Sequence, residues 1–208
     1  ESIATRAFYG SHLEKVELPA SLKNCGSLCF STVQRVIFNG DTLPKGFISA
    51  ITLDEFDSND GVEAVKVCLK DIDKTIYIPK QMSQIGIETA IFHLEGCSLA
   101  EADTYLFDSA YRFANVADSA FLAAMEECFT NNNEEAKEFL KKNSTRIVDK
   151  LLEEEDESGL ERISRLGVVS EEQLKRIGEL AERKEWAALS AYVMNQVDNS
   201  DDDDVFSL

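Results

Sequence analysis

The feature of this sequence that most restricts its fold is an internal repeat with an offset of 60 residues. Residues 13–26 read LxxVxLPxxLxxCG and residues 76–86 read IxIPxxMxxIG, so six positions match in kind and order. Between these segments, Val36 and Phe38 repeat the strand-like part at an offset of 20 from Val16 and Leu18. Three units of about 20 residues account for the longer offset. We therefore expect a core built by stacking such units.

Each unit contains a short stretch in which apolar residues alternate with other residues. In Val16-Glu17-Leu18 and in Ile76-Tyr77-Ile78, side chains two apart point to one face of a strand, and the central residue points to the other face. A proline follows each triplet and ends the strand, because it has no N–H to donate. The apolar positions farther along, Leu22, Cys25, Met82 and Ile85, are expected behind the strands. Gly26 and Gly86 fit tight turns.

The first of these units resembles the BspA-like leucine-rich repeat, which reads Ala-Phe-x-Gly-Cys-x-x-Leu-x-x-Val-x-Ile-Pro. Residues 6–19 match it with Ser11 where the family often has Cys, and the resemblance extends over about 90 residues. Residues 39–72 lack the Ile-Pro and Ile-Gly pairs and are interpreted as degenerate units with an inserted loop. The resemblance implies a β-solenoid used for binding.

The second half of the sequence changes to a helical period. We predict helices near residues 117–129, 134–142, 143–155, 159–166, 171–181 and 185–196 from their apolar stripes. Ser170 and Gln173 match a capping box, and Gly167 fits a left-handed C-terminal position. A weak repeat of 29 residues and the run 151–167 resemble degenerate ankyrin-like helix pairs.

The predicted fold class is therefore an α+β repeat, a short leucine-rich-repeat β-solenoid followed by an α-helical region of ankyrin-like pairs. The predicted domains are a leucine-rich repeat domain over 1–98, a helical repeat domain over 99–197 and a disordered acidic tail over 198–208. The acidity is uneven in the same sense, since residues 1–100 carry a charge of −4 and residues 101–208 a charge of −14.

Charge and hydropathy exclude two classes of partner. The formal net charge of −18 repels phosphate backbones, so we expect no nucleic-acid partner. No apolar run approaches the roughly 20 residues that span a bilayer, so we expect no membrane insertion. The five scattered cysteines fit reduced core thiols and slightly favour the cytoplasm. A cell-surface location requires a signal upstream of Glu1.

The sequence contains no convincing catalytic constellation. Motifs for phosphate loops, nucleophile elbows and zinc proteases are absent. His12 and His93 lie 81 residues apart, and Cys25 occupies the position of Ile85 in the matching unit, so a core thiol is favoured over a zinc ligand. Weak calcium binding by the acidic loop 54–61 is the remaining metal candidate. We expect no catalytic residue, no metal and no cofactor.

The predicted function is a non-catalytic protein–protein interaction module for a protein or peptide partner. Tyr77 is expected on the outer face of the strands, with Glu17 and Ile37 at matching positions in other units, so these three are the predicted contacts. The acidic tail is expected to be a solubilising segment; the alternative is that Phe206 and Leu208, at its tip, dock in a partner's basic-rimmed apolar pocket. The alternatives are a BspA-like cell-surface adhesion protein and, less favoured, a hydrolase or metal-dependent enzyme.

Overall fold

The computed structural model describes residues 1–54, 56–57, 62–96, 98, 109–114 and 117–203 of the chain. The chain divides into two compact units, residues 1–136 and residues 137–208. The strands are β1 (Ser2–Ile3), β2 (Lys15–Pro19), β3 (Asn24–Cys25), β4 (Arg35–Asn39), β5 (Leu53–Asp54), β6 (Ala64–Leu69), β7 (Lys74–Pro79) and β8 (Gln81–Met82). The helices are α1 (Phe47–Ile51), α2 (Gln84–Leu94), α3 (Ala117–Asn131), α4 (Glu134–Glu153), α5 (Glu157–Arg165), α6 (Glu171–Arg183) and α7 (Ala187–Asp203).

The largest sheet has the strand order β2-β4-β6-β7. β2 pairs in parallel with β4, and β4 pairs in parallel with β6. Val16 lies opposite Val36, which is the 20-residue offset found in the sequence. Leu18, Val36, Phe38 and other alternate residues of the strands are buried in the core. The prediction that alternate residues of these strands face the core is confirmed.

The predicted β-solenoid is wrong because β7 runs antiparallel to β6. Only a single 3₁₀ turn, Lys70–Ile72, and Asp73 separate the two strands, and Asp73 adopts the left-handed conformation with φ of 48°. Antiparallel strands can be joined by such a short turn, whereas parallel strands need a long crossover. The alternation in Ile76-Tyr77-Ile78 therefore predicts a strand but carries no information on its direction.

The second matching segment departs from the repeat again after β7. The Ser83 side chain accepts a hydrogen bond from the Gly86 N–H and caps α2, so Gly86 lies inside a helix and not in a tight turn. Ile85, expected in the core, is 75% exposed on this helix. Its counterpart Cys25 is buried in β3. The two halves of the sequence repeat thus fold differently.

Helix α3 packs against β7 within the first unit. The division of the chain therefore falls after Ala136 and does not coincide with the predicted boundary at residue 98. The fold is mixed α/β, with small mixed sheets and, among the described residues, seven α-helices.

The second unit also differs from the predicted helix pairs. Residues 134–142 and 143–155, predicted as two helices, form the single helix α4, since Asn143 donates its side-chain amide to Phe139 O and does not break the helix. Helices α5, α6 and α7 contact one another. The capping box of Ser170 and Gln173 is confirmed. Helix α7 continues to Asp203, so residues 198–203 of the predicted tail are helical.

Candidate interaction surface

The outer face of the four-stranded sheet brings residues from all four strands into rows. Strand register places Lys15, Arg35, Lys66 and Tyr77 side by side in one row, and Glu17, Ile37, Cys68 and Thr75 in the next. Neighbouring strands lie about 4.8 Å apart, so the side chains within a row are close. Two of the three predicted contacts in the sheet, Glu17 and Ile37, are direct cross-strand neighbours.

Three adjacent cations, Lys15, Arg35 and Lys66, form what we call the cationic row. Lys15 and Arg35 are exposed, and none of the three has an ion pair with an acidic residue in the described part of the chain. The Lys66 Nζ lies 5.7 Å from the centroid of the Tyr77 ring, in a cation–π contact. The unit of residues 1–136 holds 10 basic and 21 acidic residues, so this clustering runs against its overall charge.

The next row is less exposed than the sequence predicts. The Glu17 carboxylate is exposed and accepts a hydrogen bond from the Asn39 side chain at 2.8 Å. Ile37 is only 7% exposed, although it points to the outer face. The expectation that Ile37 is an open apolar contact is therefore wrong. Its side chain can contribute only a small area to any interface.

Tyr77 is covered by α3 and is only 4% exposed, so its predicted exposure is also wrong. Its backbone N–H donates to Glu127 Oε1 at 2.8 Å, and its hydroxyl lies 2.7 Å from Thr130 Oγ1. Asn131 donates its side-chain amide to Thr75 O at 2.9 Å. Helix α3 thus closes both the face and the free edge of β7.

Sequence reasoning missed Glu127, which is fully buried. A signal for it exists in the helical period, since Ala120, Ala123, Ala124, Glu127 and Cys128 share one face of α3 and are all buried. A carboxylate on such a stripe of small residues indicates a hydrogen-bonded acceptor inside the protein. The pattern does not reveal that its donor is the backbone of β7.

The remaining open part of the outer face is formed by β2 and β4. We call it the open half of the sheet. It carries Lys15, Glu17, Arg35 and Asn39, with Ile37 between them. The other two predicted contacts, Phe206 and Leu208, lie outside the described residues.

Two ionisable side chains elsewhere, one buried and one partly buried, are hydrogen-bonded to backbone groups. Lys80 is fully buried and donates to three carbonyl oxygens, of which Ile51 O is the nearest at 2.7 Å; burial lowers its pKa to about 7. Glu95 accepts hydrogen bonds from the N–H groups of Gly46 and Ile48 at 2.7 and 2.8 Å, and burial raises its pKa. Both side chains bond to backbone groups of α1 or of the residues next to it, and the buried Lys80 is closed to a ligand.

Cys25 and Cys29 are both buried, and their thiols interact with each other. The hydrogen bond to Cys29, together with burial, raises the pKa of Cys25, and the same bond lowers the pKa of Cys29. Over the described ranges, no three His, Cys, Asp or Glu side chains are grouped so that they could hold a metal ion. The pair therefore belongs to the core in this structure.

Comparison with protein-family models, with curated proteins and with solved structures found no match for this chain. In the part of the chain that the structure describes, no helix combines the length and the apolar character needed to cross a membrane. The functional argument therefore rests on the open half of the sheet.

Proposed function

We propose that the chain is a non-catalytic protein-binding module that holds a segment with acidic side chains, from a partner protein, against the open half of the sheet. The observation that supports this proposal is the cationic row, since its three members lack acidic partners in the described residues. Like charges on adjacent strands destabilise a sheet. Acidic side chains of a partner would relieve the repulsion between these three cations, which no acidic residue relieves within the described part of the chain.

The overall charge adds selectivity to this surface. A net charge of −18 repels acidic molecules at long range, and the repulsion is screened beyond about 10 Å at moderate salt. A partner therefore gains from the cationic row only when its acidic side chains reach the sheet itself. Complementary charges of this kind set orientation and specificity more than total affinity.

The predicted resemblance to BspA-like repeats agrees with a binding role, because that family is known for interaction surfaces. The resemblance itself stays a prediction, carried by residues 6–19 and 76–86. It adds nothing about which partner is bound.

Zero-length cross-linking tests the proposal most directly. A carbodiimide joins an amine to a carboxylate only where the two are in contact. The tagged full chain is mixed with native lysate, treated with the carbodiimide and purified, and the linked peptides are identified by mass spectrometry. We expect Lys15, on the open half of the sheet, linked to an Asp or Glu of another protein.

A matched pair of charge-reversal variants provides the control. The test variant carries Lys15→Glu, Arg35→Glu and Lys66→Glu, and the control carries Lys23→Glu, Lys70→Glu and Lys141→Glu at exposed positions outside the row. Both change the net charge equally. We expect the test variant alone to lose the partner, by about tenfold or more. Equal retention of the partner by both variants contradicts the proposal.

A further inference from the structure

We infer that the partner segment binds as an added β-strand along the free edge of β2. This inference rests on the proposed function and specifies its binding mode and partner class. The segment is extended and alternates acidic, apolar, basic and apolar residues. Three independent features of β2 support it, namely its backbone groups, its apolar surroundings and its charges.

The backbone of β2 offers unused hydrogen-bonding groups. Lys15 lies opposite Arg35, and the Arg35 N–H donates to Glu14 O at 3.0 Å. In a parallel pair this register directs the groups of Val16 and Leu18 toward β4 and those of Lys15 and Glu17 toward the opposite edge. No described residue hydrogen-bonds to the backbone N–H groups of Lys15 and Glu17. These groups form a template for another strand.

Apolar side chains of β2 and of the segment that precedes it are incompletely covered. Ile3, Leu13 and Val16 pack against the core but are only partly buried. Phe8 stacks on the buried Phe30 ring with centroids 5.7 Å apart, yet remains 41% exposed. An added strand would place an inward side chain next to Val16, which lies on β2 itself. Covering apolar surface would add to the hydrogen bonds of the edge.

The charges of β2 select the sequence of the added strand. A side chain opposite Lys15 would extend the cationic row by one strand and is favoured when acidic. A side chain opposite Glu17 is favoured when basic. Val16 and Leu18 point toward the core, so their neighbours are favoured when apolar. The alternating pattern follows for either direction of the added strand.

The test uses a fluorescent synthetic peptide of sequence Asp-Val-Lys-Val-Asp-Val-Lys and the full chain, with binding followed by fluorescence anisotropy. Two N-methylated forms separate strand addition from simple charge attraction. In an extended strand alternate N–H groups point to opposite edges, so methylation of the Val amides blocks a parallel strand and methylation of the Asp and Lys amides blocks an antiparallel one.

We expect one methylated form to bind at least about tenfold more weakly than the other, since it loses several backbone hydrogen bonds of about 1 kcal/mol each. The protein is unmodified in this comparison, so its folding does not enter. Equal binding by the two methylated forms, or no binding by the parent peptide, overturns the inference.

A substitution in the protein gives a second readout. Glu17→Pro removes the outward N–H and leaves the pairing with β4 in place, and Glu17→Ala is the matched control that removes only the side chain. We expect Glu17→Pro to weaken peptide binding about tenfold relative to Glu17→Ala. Equal binding by the two variants contradicts strand addition.

Two further outcomes separate this inference from the proposed function. If the triple charge reversal at Lys15, Arg35 and Lys66 abolishes partner capture while both methylated peptides bind alike, the binding function stands and strand addition fails. If sedimentation shows a dimer of the chain that Glu17→Pro abolishes, the edge is occupied by a second copy and the inference is wrong.

Discussion

The two outer strands of the main sheet, β7 and β2, differ in how their free backbone groups are treated. On β7, α3 supplies Glu127 to the Tyr77 N–H and Asn131 to the Thr75 carbonyl. On β2, no described residue bonds to the N–H groups of Lys15 and Glu17. Among the described residues, the charged side chains of β2 and Pro19 at its end protect that edge. One edge is therefore part of the core, and the other has no hydrogen-bonding partner among the described residues.

The cations near the two edges differ in the same way. Lys80 follows β7 directly and is enclosed by carbonyl groups, which are those of Phe30, Val33 and Ile51. Lys15 lies on β2 and is exposed. The pKa of Lys80 is lowered to about 7 because burial disfavours its charged form. A charge on the buried Lys80 lowers the folding stability because the side chain loses its hydration. A charge on the exposed Lys15 keeps its hydration and lowers the stability only through repulsion from nearby cations.

The largest expected effect concerns Lys80 and pH. Its pKa is about 7 in the folded chain and 10.5 ordinarily, so between these values the unfolded chain binds a proton that the folded chain does not. Stability therefore rises with pH through this window, by up to about 1.4 kcal/mol per pH unit. Urea unfolding of the wild type and of Lys80→Met, repeated at several pH values between about 7 and 10.5, measures this pH dependence of the free energy of unfolding. The variant should lack this component, and parallel curves for the two proteins would show that Lys80 is not buried as described.

The next effect compares the two edges directly. Glu127→Ala leaves the Tyr77 N–H without its acceptor and should lower the free energy of unfolding by about 1–3 kcal/mol. Glu17→Ala, at the open edge, should change it by less than about 0.5 kcal/mol. Urea denaturation at neutral pH measures both. Similar losses of unfolding free energy in the two variants would mean that the β2 and β7 edges contribute equally to folding stability.

A smaller effect concerns the tyrosine under α3. Tyr77→Phe removes the hydroxyl that contacts Thr130 and should cost about 0.5–1.5 kcal/mol. Tyr9→Phe is the control, since Tyr9 is 59% exposed, and it should be nearly neutral. Thermal unfolding monitored by circular dichroism compares the two. An unchanged melting temperature for Tyr77→Phe would contradict the coverage of Tyr77 and the β7 edge by α3.

The smallest effect concerns the cationic row itself. Arg35 lies between Lys15 and Lys66, so Arg35→Gln should relieve repulsion and raise the free energy of unfolding by about 0.2–0.5 kcal/mol at low salt. The gain should vanish near 1 M salt, where charges are screened within about 3 Å. Lys70→Gln, exposed outside the row, is the control for removing one positive charge. A destabilised Arg35→Gln would indicate an internal counter-charge for the row.

Several local features could be predicted from the sequence because they depend on neighbours along the chain. Alternation in Val16-Glu17-Leu18 identified which residues face the core, and the 20-residue offset identified Val36 as the partner of Val16. Ser170 and Gln173 form the expected capping box, and Gly167 adopts the expected left-handed conformation with φ of 65°. These features need only a few adjacent residues to form.

The direction of β7 could not be predicted in this way. Its sequence matches that of β2 at Val16 and Leu18, yet a short turn reverses it, and Ser83 then begins a helix that exposes Ile85. The candidate surface was predicted in part. The exposed position of Glu17 on the outer face agrees with the prediction, whereas the coverage of Tyr77 by α3 was not predicted.

The sequence by itself determined which residues of each strand face inward and where several helices begin and end, because those choices follow from side-chain period and local hydrogen bonds. The tertiary structure alone decided that α3 covers β7, that no described residue pairs with the outer edge of β2, and that Lys80 is buried while Lys15 is exposed. Burial and edge pairing depend on atoms supplied by distant segments, and the pattern of one strand does not encode them.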